Sequence, residues 1–121
     1  MKLFWGAAIV ATFAMAGTAF ASPSGVTEKA GAFVAPDGKA LYTFARDTMP
    51  GKSACNGPCL ANWPALKADS DAKDDGDWTV ITRDDGGKQW AYKGKPLYTF
   101  AKDTSGGAAS GVSPVWPLAK K

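Results

Sequence analysis

Apolar and polar positions alternate over two short runs, Leu41-Tyr42-Thr43-Phe44-Ala45 and Leu97-Tyr98-Thr99-Phe100-Ala101. A period of two belongs to an extended strand, so strands are predicted over residues 40–45 and 97–101. In both, the alternation sets Tyr and Phe on one face and Leu and Thr on the other. Each run is entered through a turn. Ala32-Phe33-Val34-Ala35 leads into Pro36-Asp37-Gly38-Lys39, where proline presets φ and glycine accepts a positive one. Gln89-Trp90-Ala91-Tyr92 leads into Lys93-Gly94-Lys95, and a further β-branched strand, Trp78-Thr79-Val80-Ile81-Thr82-Arg83, reaches Gln89 through Asp84-Asp85-Gly86-Gly87. The pattern predicts a hairpin in the first half, a three-stranded meander in the second, and almost no helix.

The two runs belong to a duplication. Residues 38–48 recur as residues 94–104, a shift of 56 positions, with only Ala40/Pro96 and Arg46/Lys102 differing. The echo continues at Gly51 and Gly107. After a three-residue length difference it resumes at Trp63-Pro64-Ala65-Leu66 and Trp116-Pro117-Leu118-Ala119. This divides the chain into a first repeat over about 31–66, an acidic connector over 67–77 and a second repeat over about 78–119. One half of about 40 residues is too small to bury its own apolar surface. Each aromatic side chain buries about 150–250 Å², so the pooled aromatics of both halves suffice for one core. The expected fold is therefore a single all-β domain over residues 22–121, a compact pseudo-symmetric sheet or sandwich of antiparallel hairpins with long loops. The pairs Tyr42/Phe44 and Tyr98/Phe100 are expected to face a shared interior.

Residues 1–21 read as an export signal: Met1-Lys2 is a basic start, Leu3 to Thr18 carries no charge, and Ala19-Phe20-Ala21 is a small-x-small cleavage site. An uncleaved anchor is the alternative, since the run approaches the roughly 20 apolar residues of a membrane span. The Ala/Gly-rich run ends in a cleavage site without a basic stop-transfer flank, which favours cleavage before Ser22. The expected location is secreted or periplasmic, with no stable membrane insertion after cleavage. Lysine and arginine number 14 against 11 acidic residues, and loss of Lys2 leaves the mature chain near +2. The lysines are scattered while acidic residues gather between Asp69 and Asp85, so no basic stripe exists for nucleic acid. Histidine is absent. That removes the usual hydrolase triads, His-ligated zinc and His-ligated haem.

Chemistry is concentrated in few residues. Cys55 and Cys59 lie in a loop with no cysteine counterpart in the second repeat, and in an oxidising compartment a disulfide is the default. The alternative is a thiol redox or copper-handling pair, with two thiolates and Met49 around a soft ion, although no histidine is present to complete such a site. A thioredoxin-like exchanger is excluded by spacing, which there is C-x2-C before a helix. Asp47 and Asp103 follow the aromatic strands. They are expected to accept hydrogen bonds from loop N–H groups or from the Tyr42 and Tyr98 hydroxyls. The competing reading is a paired-carboxylate site for carbohydrate binding or hydrolysis, with the tryptophans as a stacking platform. Trp63-Pro64 and Trp116-Pro117 are expected to plug the core at the close of each repeat. The acidic run from Asp69 to Asp77 fails as a calcium loop: started at Asp71, it puts Lys73 and Thr82 where carboxylates are required.

With Tyr42-Thr43-Phe44-Ala45-Arg46-Asp47 and Tyr98-Thr99-Phe100-Ala101-Lys102-Asp103 in place, the chain resembles the secreted-repeat family of bacterial predicted lipoproteins with a Y-x-[FWY]-x-x-D motif. The similarity extends through Ser53-Ala54-Cys55, Cys59, Trp63-Pro64, Gln89, Tyr92, Gly94, Pro96 and Trp116. It implies motif positions at Tyr42, Phe44, Asp47, Tyr98, Phe100 and Asp103, without a known activity. Many relatives look like lipoproteins, whereas no cysteine stands at this chain's cleavage site. The function expected is an exported, non-enzymatic structural or binding domain of the periplasm or cell envelope. It is expected to be monomeric, to need no cofactor and to act on an envelope component that the residues do not name.

Overall fold

In the computed structural model, which describes Pro23 and residues 25–121, the chain forms two small antiparallel sheets with one helical turn between them. The export signal and its cleavage site lie outside the described residues. Strand β1 (Thr27–Lys29) pairs with β2 (Ala32–Val34) across Ala30-Gly31, both at positive φ, the twist that a two-residue hairpin requires. Strands β3 (Trp78–Thr82), β4 (Lys88–Tyr92) and β5 (Lys95–Pro96) form a meander. Its second turn, Lys93-Gly94, is again at positive φ. The only helix among the described residues is α1 (Cys59–Asn62).

The motif runs depart from the sequence expectation in an informative way. Residues 40–44 and 97–100 make isolated bridges to several different partners instead of forming long strands in local hairpins, and Ala45 and Ala101 already belong to turns. Tyr42 and Tyr98 exchange both backbone hydrogen bonds, at 2.8 and 2.9 Å, so the two copies meet residue against residue. On its far side Thr43 N–H donates to the Pro117 carbonyl and Ala45 N–H to Val115; in the other copy Thr99 N–H donates to Pro64 and Ala101 N–H to Asn62. Each motif run is thus flanked by the Trp-Pro segment of the opposite copy. The hairpin expected between residues 32–35 and 40–45 shrinks to the Val34/Ala40 bridge and the Leu41 N–H to Phe33 bond. β2 spends its other edge on β1, a strand with no alternating pattern to announce it.

Alternation along the motif runs then divides the core in two. Leu41 and Leu97 point to a cluster with Val26, Phe33, Leu66 and Trp78. Tyr42 and Tyr98 point the other way, to a cluster with Cys55, Trp116, Phe44, Phe100 and Trp63. All four of these leucines and tyrosines are fully buried. At about 1.5–3 kcal/mol for each buried leucine-sized side chain, both faces of the crossing contribute to stability. Neither copy can close its own core. Both clusters draw residues from both copies.

Candidate functional site

The second cluster gathers the four aromatic motif residues, and its tyrosines donate to both motif aspartates. At its centre Trp63 and Trp116 stack at 3.9 Å between centroids with 6° between planes. Phe44 lies on the outer face of Trp116 at 4.1 Å and Phe100 on that of Trp63 at 4.4 Å. Four rings, two from each copy, form one stack. Tyr42 meets Trp63 edge-on and Tyr98 meets Trp116 likewise, at 5.0 and 5.2 Å. Each tryptophan therefore packs on the tyrosine of its own copy and on the phenylalanine of the other, so the expected plug serves both copies at once. Their broad faces are occupied by each other and by the phenylalanines, leaving no open ring face between the two tryptophans for a sugar.

The carboxylates follow the same exchange. The Tyr42 hydroxyl donates to Asp103 Oδ2 at 2.6 Å, and the Tyr98 hydroxyl donates to Asp47 Oδ2 at 2.7 Å. Each aspartate turns its other oxygen to a backbone N–H seven residues on, Asp47 Oδ1 to Ala54 at 2.6 Å and Asp103 Oδ1 to Ser110 at 2.8 Å. A carboxylate accepts from several donors at once, which suits it to hold a strand exit, a following loop and the other copy together.

Behind these paired contacts the two copies differ. Tyr98 already donates to Asp47, so it is Ser53 Oγ–H that donates to the Tyr98 oxygen at 2.6 Å. Ser53 in turn accepts from Arg83 Nη1 at 2.9 Å. Arg83, 5% exposed, also donates to Gln89 Oε1, the Cys55 carbonyl, Asn56 Oδ1 and Asp85 Oδ2, which satisfies the buried guanidinium. In the other copy Gly111 N–H donates to the Tyr42 oxygen at 3.1 Å, and the Ser110 hydroxyl donates to Asp103 Oδ1 at 2.6 Å. A Cβ on Gly111 would meet Trp63 at 2.6 Å and Phe100 at 2.8 Å, so only glycine brings that N–H close enough.

Electrostatics diverge accordingly. Burial pushes the Asp47 carboxyl above its ordinary range, and the donors Tyr98 and Ala54 with the Arg83 charge offset this only in part. Burial acts on Asp103 in the same direction, but the Ser110 hydroxyl, Tyr42, the Ser110 N–H and Lys39 together hold it below the usual value. Burial and the Asp103 carboxylate raise the Tyr42 hydroxyl to about 12. Burial likewise raises Tyr98, with Asp47 adding to it against the opposing Ser53 bond. Both phenols stay protonated as donors at neutral pH.

Cys55 and Cys59 are joined as a disulfide, with Cα atoms 5.3 Å apart, at the start of α1. In that state neither sulfur is a thiolate for a soft ion. Met49 is largely exposed beside Asp47, and among the described residues no three His, Cys, Asp or Glu side chains come together to hold a metal. Ser110, Gly111 and the saturating role of Arg83 escaped the sequence reading. The shared offset of seven from each aspartate was the available signal for Ala54 and Ser110.

Residues 24–67 and 79–120 each match a family described as a secreted repeat of unknown function. The chain belongs to this family. The two matched stretches of this secreted-repeat protein are the two copies that cross at Tyr42 and Tyr98. No curated protein and no solved structure matches the chain. Among the described residues, no helix is long and apolar enough to cross a membrane.

Proposed function

We propose that this secreted-repeat protein is an exported, non-enzymatic binding or structural domain of the periplasm or cell envelope. One observation carries the reading: the Tyr98–Asp47 and Tyr42–Asp103 bonds commit the side chains best suited to acid–base work to joining the copies. A general acid or base needs a free path to a reacting proton. Here each carboxylate is bound at both oxygens by groups of the fold itself.

The test is a deletion strain complemented by Asp47→Asn, Asp103→Asn or Tyr98→Phe, with protease-resistant protein quantified in periplasmic and culture fractions. A non-enzymatic domain gives complementation in proportion to the folded protein present. A variant that is folded and exported at parental level yet wholly inactive in the cell overturns the reading.

A further inference from the structure

The opposite side of the molecule carries a recess that none of the motif residues enter. A cavity of about 540 Å³ opens between the two sheets, within the range of about 300–1,000 Å³ typical of small-molecule sites. Phe33, Trp78 and Tyr92 line it, Phe33 edge to face with Trp78 and Tyr92 at 4.9 and 4.7 Å and Trp78 tilted against Tyr92 at 5.0 Å, so these rings are fixed by one another. Glu28, Asp75 and Asp77 line it as well. The whole chain carries +3, yet three carboxylates line this recess against Lys121, with Lys93 Nζ standing 5.4 Å from the Tyr92 ring centroid. Lys121 Nζ stands 3.8 Å from Glu28 and is largely exposed. Asp75 and Asp77 have no ion-pair partner among the described residues.

A tight reverse turn fixes the backbone that carries Asp75 and Asp77. Asp75 and Trp78 exchange backbone bonds at 2.7 and 3.0 Å around Gly76 at positive φ, and Lys93 N–H donates to the Asp77 carbonyl. The floor and the backbone of the turn are therefore preorganised. Three ring systems below and diffuse negative charge above suit a large cation with an apolar skin. A metal ion fits poorly, because no three of the acidic groups converge.

We propose that this cleft binds a small alkylated ammonium ion, its methyl groups on the aromatic floor and its charge toward Asp75, Asp77 and Glu28. The proposal rests on the binding half of the function proposed above.

The test is an NMR titration of the full mature domain with choline chloride. Sodium chloride at equal ionic strength and 3,3-dimethylbutan-1-ol, the neutral isostere, serve as comparisons. Saturable shifts at Trp78 and Tyr92 are expected with choline alone. Asp75→Asn/Asp77→Asn is expected to weaken them about tenfold with the fold retained, since neither carboxylate makes a hydrogen bond among the described residues. Equal response to the isostere or to sodium chloride overturns the site, as does unaltered affinity in the double variant. If that variant misfolds, the comparison of choline with its isostere on the parent protein still decides. Choline recovered intact agrees with a binding role. Its conversion would overturn the non-enzymatic reading and leave the site standing, whereas absence of binding removes the site and leaves that reading untouched.

Discussion

The two Tyr–Asp contacts are the same bond made twice, but one is backed by a buried cation and a disulfide loop, the other by a serine and a glycine. Around Tyr98 and Asp47 the chain runs Arg83 to Ser53 to Tyr98 to Asp47, each donor feeding the next acceptor. Around Tyr42 and Asp103 the loop itself suffices, through Gly111 N–H and both donors of Ser110. Duplicated sequence thus fixes the contact between copies, while the support behind it is free to diverge. Polar chains in a low-dielectric core strengthen when complete and cost heavily when broken. The first lock is therefore the more vulnerable of the two.

The largest effect should come from Arg83→Met. It strands Gln89 Oε1 and the Cys55 carbonyl without their donor, takes the shorter of two donors from Ser53 and frees the exposed Asn56, and unsatisfied buried groups cost about 1–3 kcal/mol each before relaxation. With partial rescue by water, a net loss of about 4 kcal/mol in urea unfolding is expected. Arg83→Lys should recover little of it, because an ammonium cannot span those acceptors. A loss below about 1 kcal/mol would mean that the two locks are equally self-sufficient. The matching blow to the other lock is Gly111→Ala. Its methyl would press on Trp63 and Phe100, and overpacking of this kind costs about 2–3 kcal/mol. Hydrogen exchange should show the first variant opening residues 53–59 and the second opening residues 109–112.

Removing the disulfide separates the locks in another way. Cys55→Ser/Cys59→Ser frees a five-residue ring, for which chain entropy gives about 2 kcal/mol. The loop so loosened delivers Ser53 to Tyr98 and Trp63 to the ring stack. The expected outcome is a Tm lower by about 10 °C, with the Ser110 amide as protected as before. Equal loss of protection at Ser110 would show that the crossing transmits strain between copies and that the locks are not separable.

Much of this was legible in the sequence, and the boundary of what was not is physical. Alternation in Leu41-Tyr42-Thr43-Phe44 placed leucine and tyrosine on opposite faces because a strand has period two whatever its partner. The partner itself was not legible: the same period fits a local hairpin and a cross-copy bridge, and the second is what Tyr42 and Tyr98 form. Asp47 and Asp103 were visible as strand-exit acceptors, but their exchange between copies depends on that crossing. Residues 67–77 read as a solvated connector by composition. Asp74 in fact accepts the Val80 N–H at 2.8 Å, and Asp75 bridges to Trp78, so the segment covers the edge of β3.

Smaller effects compare the hydroxyls directly. Tyr42→Phe and Tyr98→Phe each delete a donor to a carboxylate, and a hydrogen bond to a charged group is worth about 1.5–3 kcal/mol. Each also strands the donor to its phenol oxygen, Ser53 Oγ–H at Tyr98 and Gly111 N–H at Tyr42, and Tyr98→Phe should cost the more because Ser53 is fully buried while Gly111 is only half-buried.

The smallest and sharpest contrast is in pH. Asp103 titrates below its ordinary pKa in the fold, so its contribution is complete above the unfolded value of about 3.9 and is lost as pH falls through the folded one. Asp47 titrates above its ordinary pKa, so the folded chain binds its proton more readily than the unfolded chain does. Stability from Asp47 therefore rises as pH falls through the folded value toward about 3.9. The two windows adjoin without overlapping, and together they give a stability maximum near the ordinary carboxylate pKa. Asp47→Asn should erase the rise on mild acidification and Asp103→Asn the fall at stronger acid, read as urea midpoints across the acid range. If carbon-13 NMR finds both carboxyls titrating at one pH, the different support behind the two locks has no electrostatic consequence.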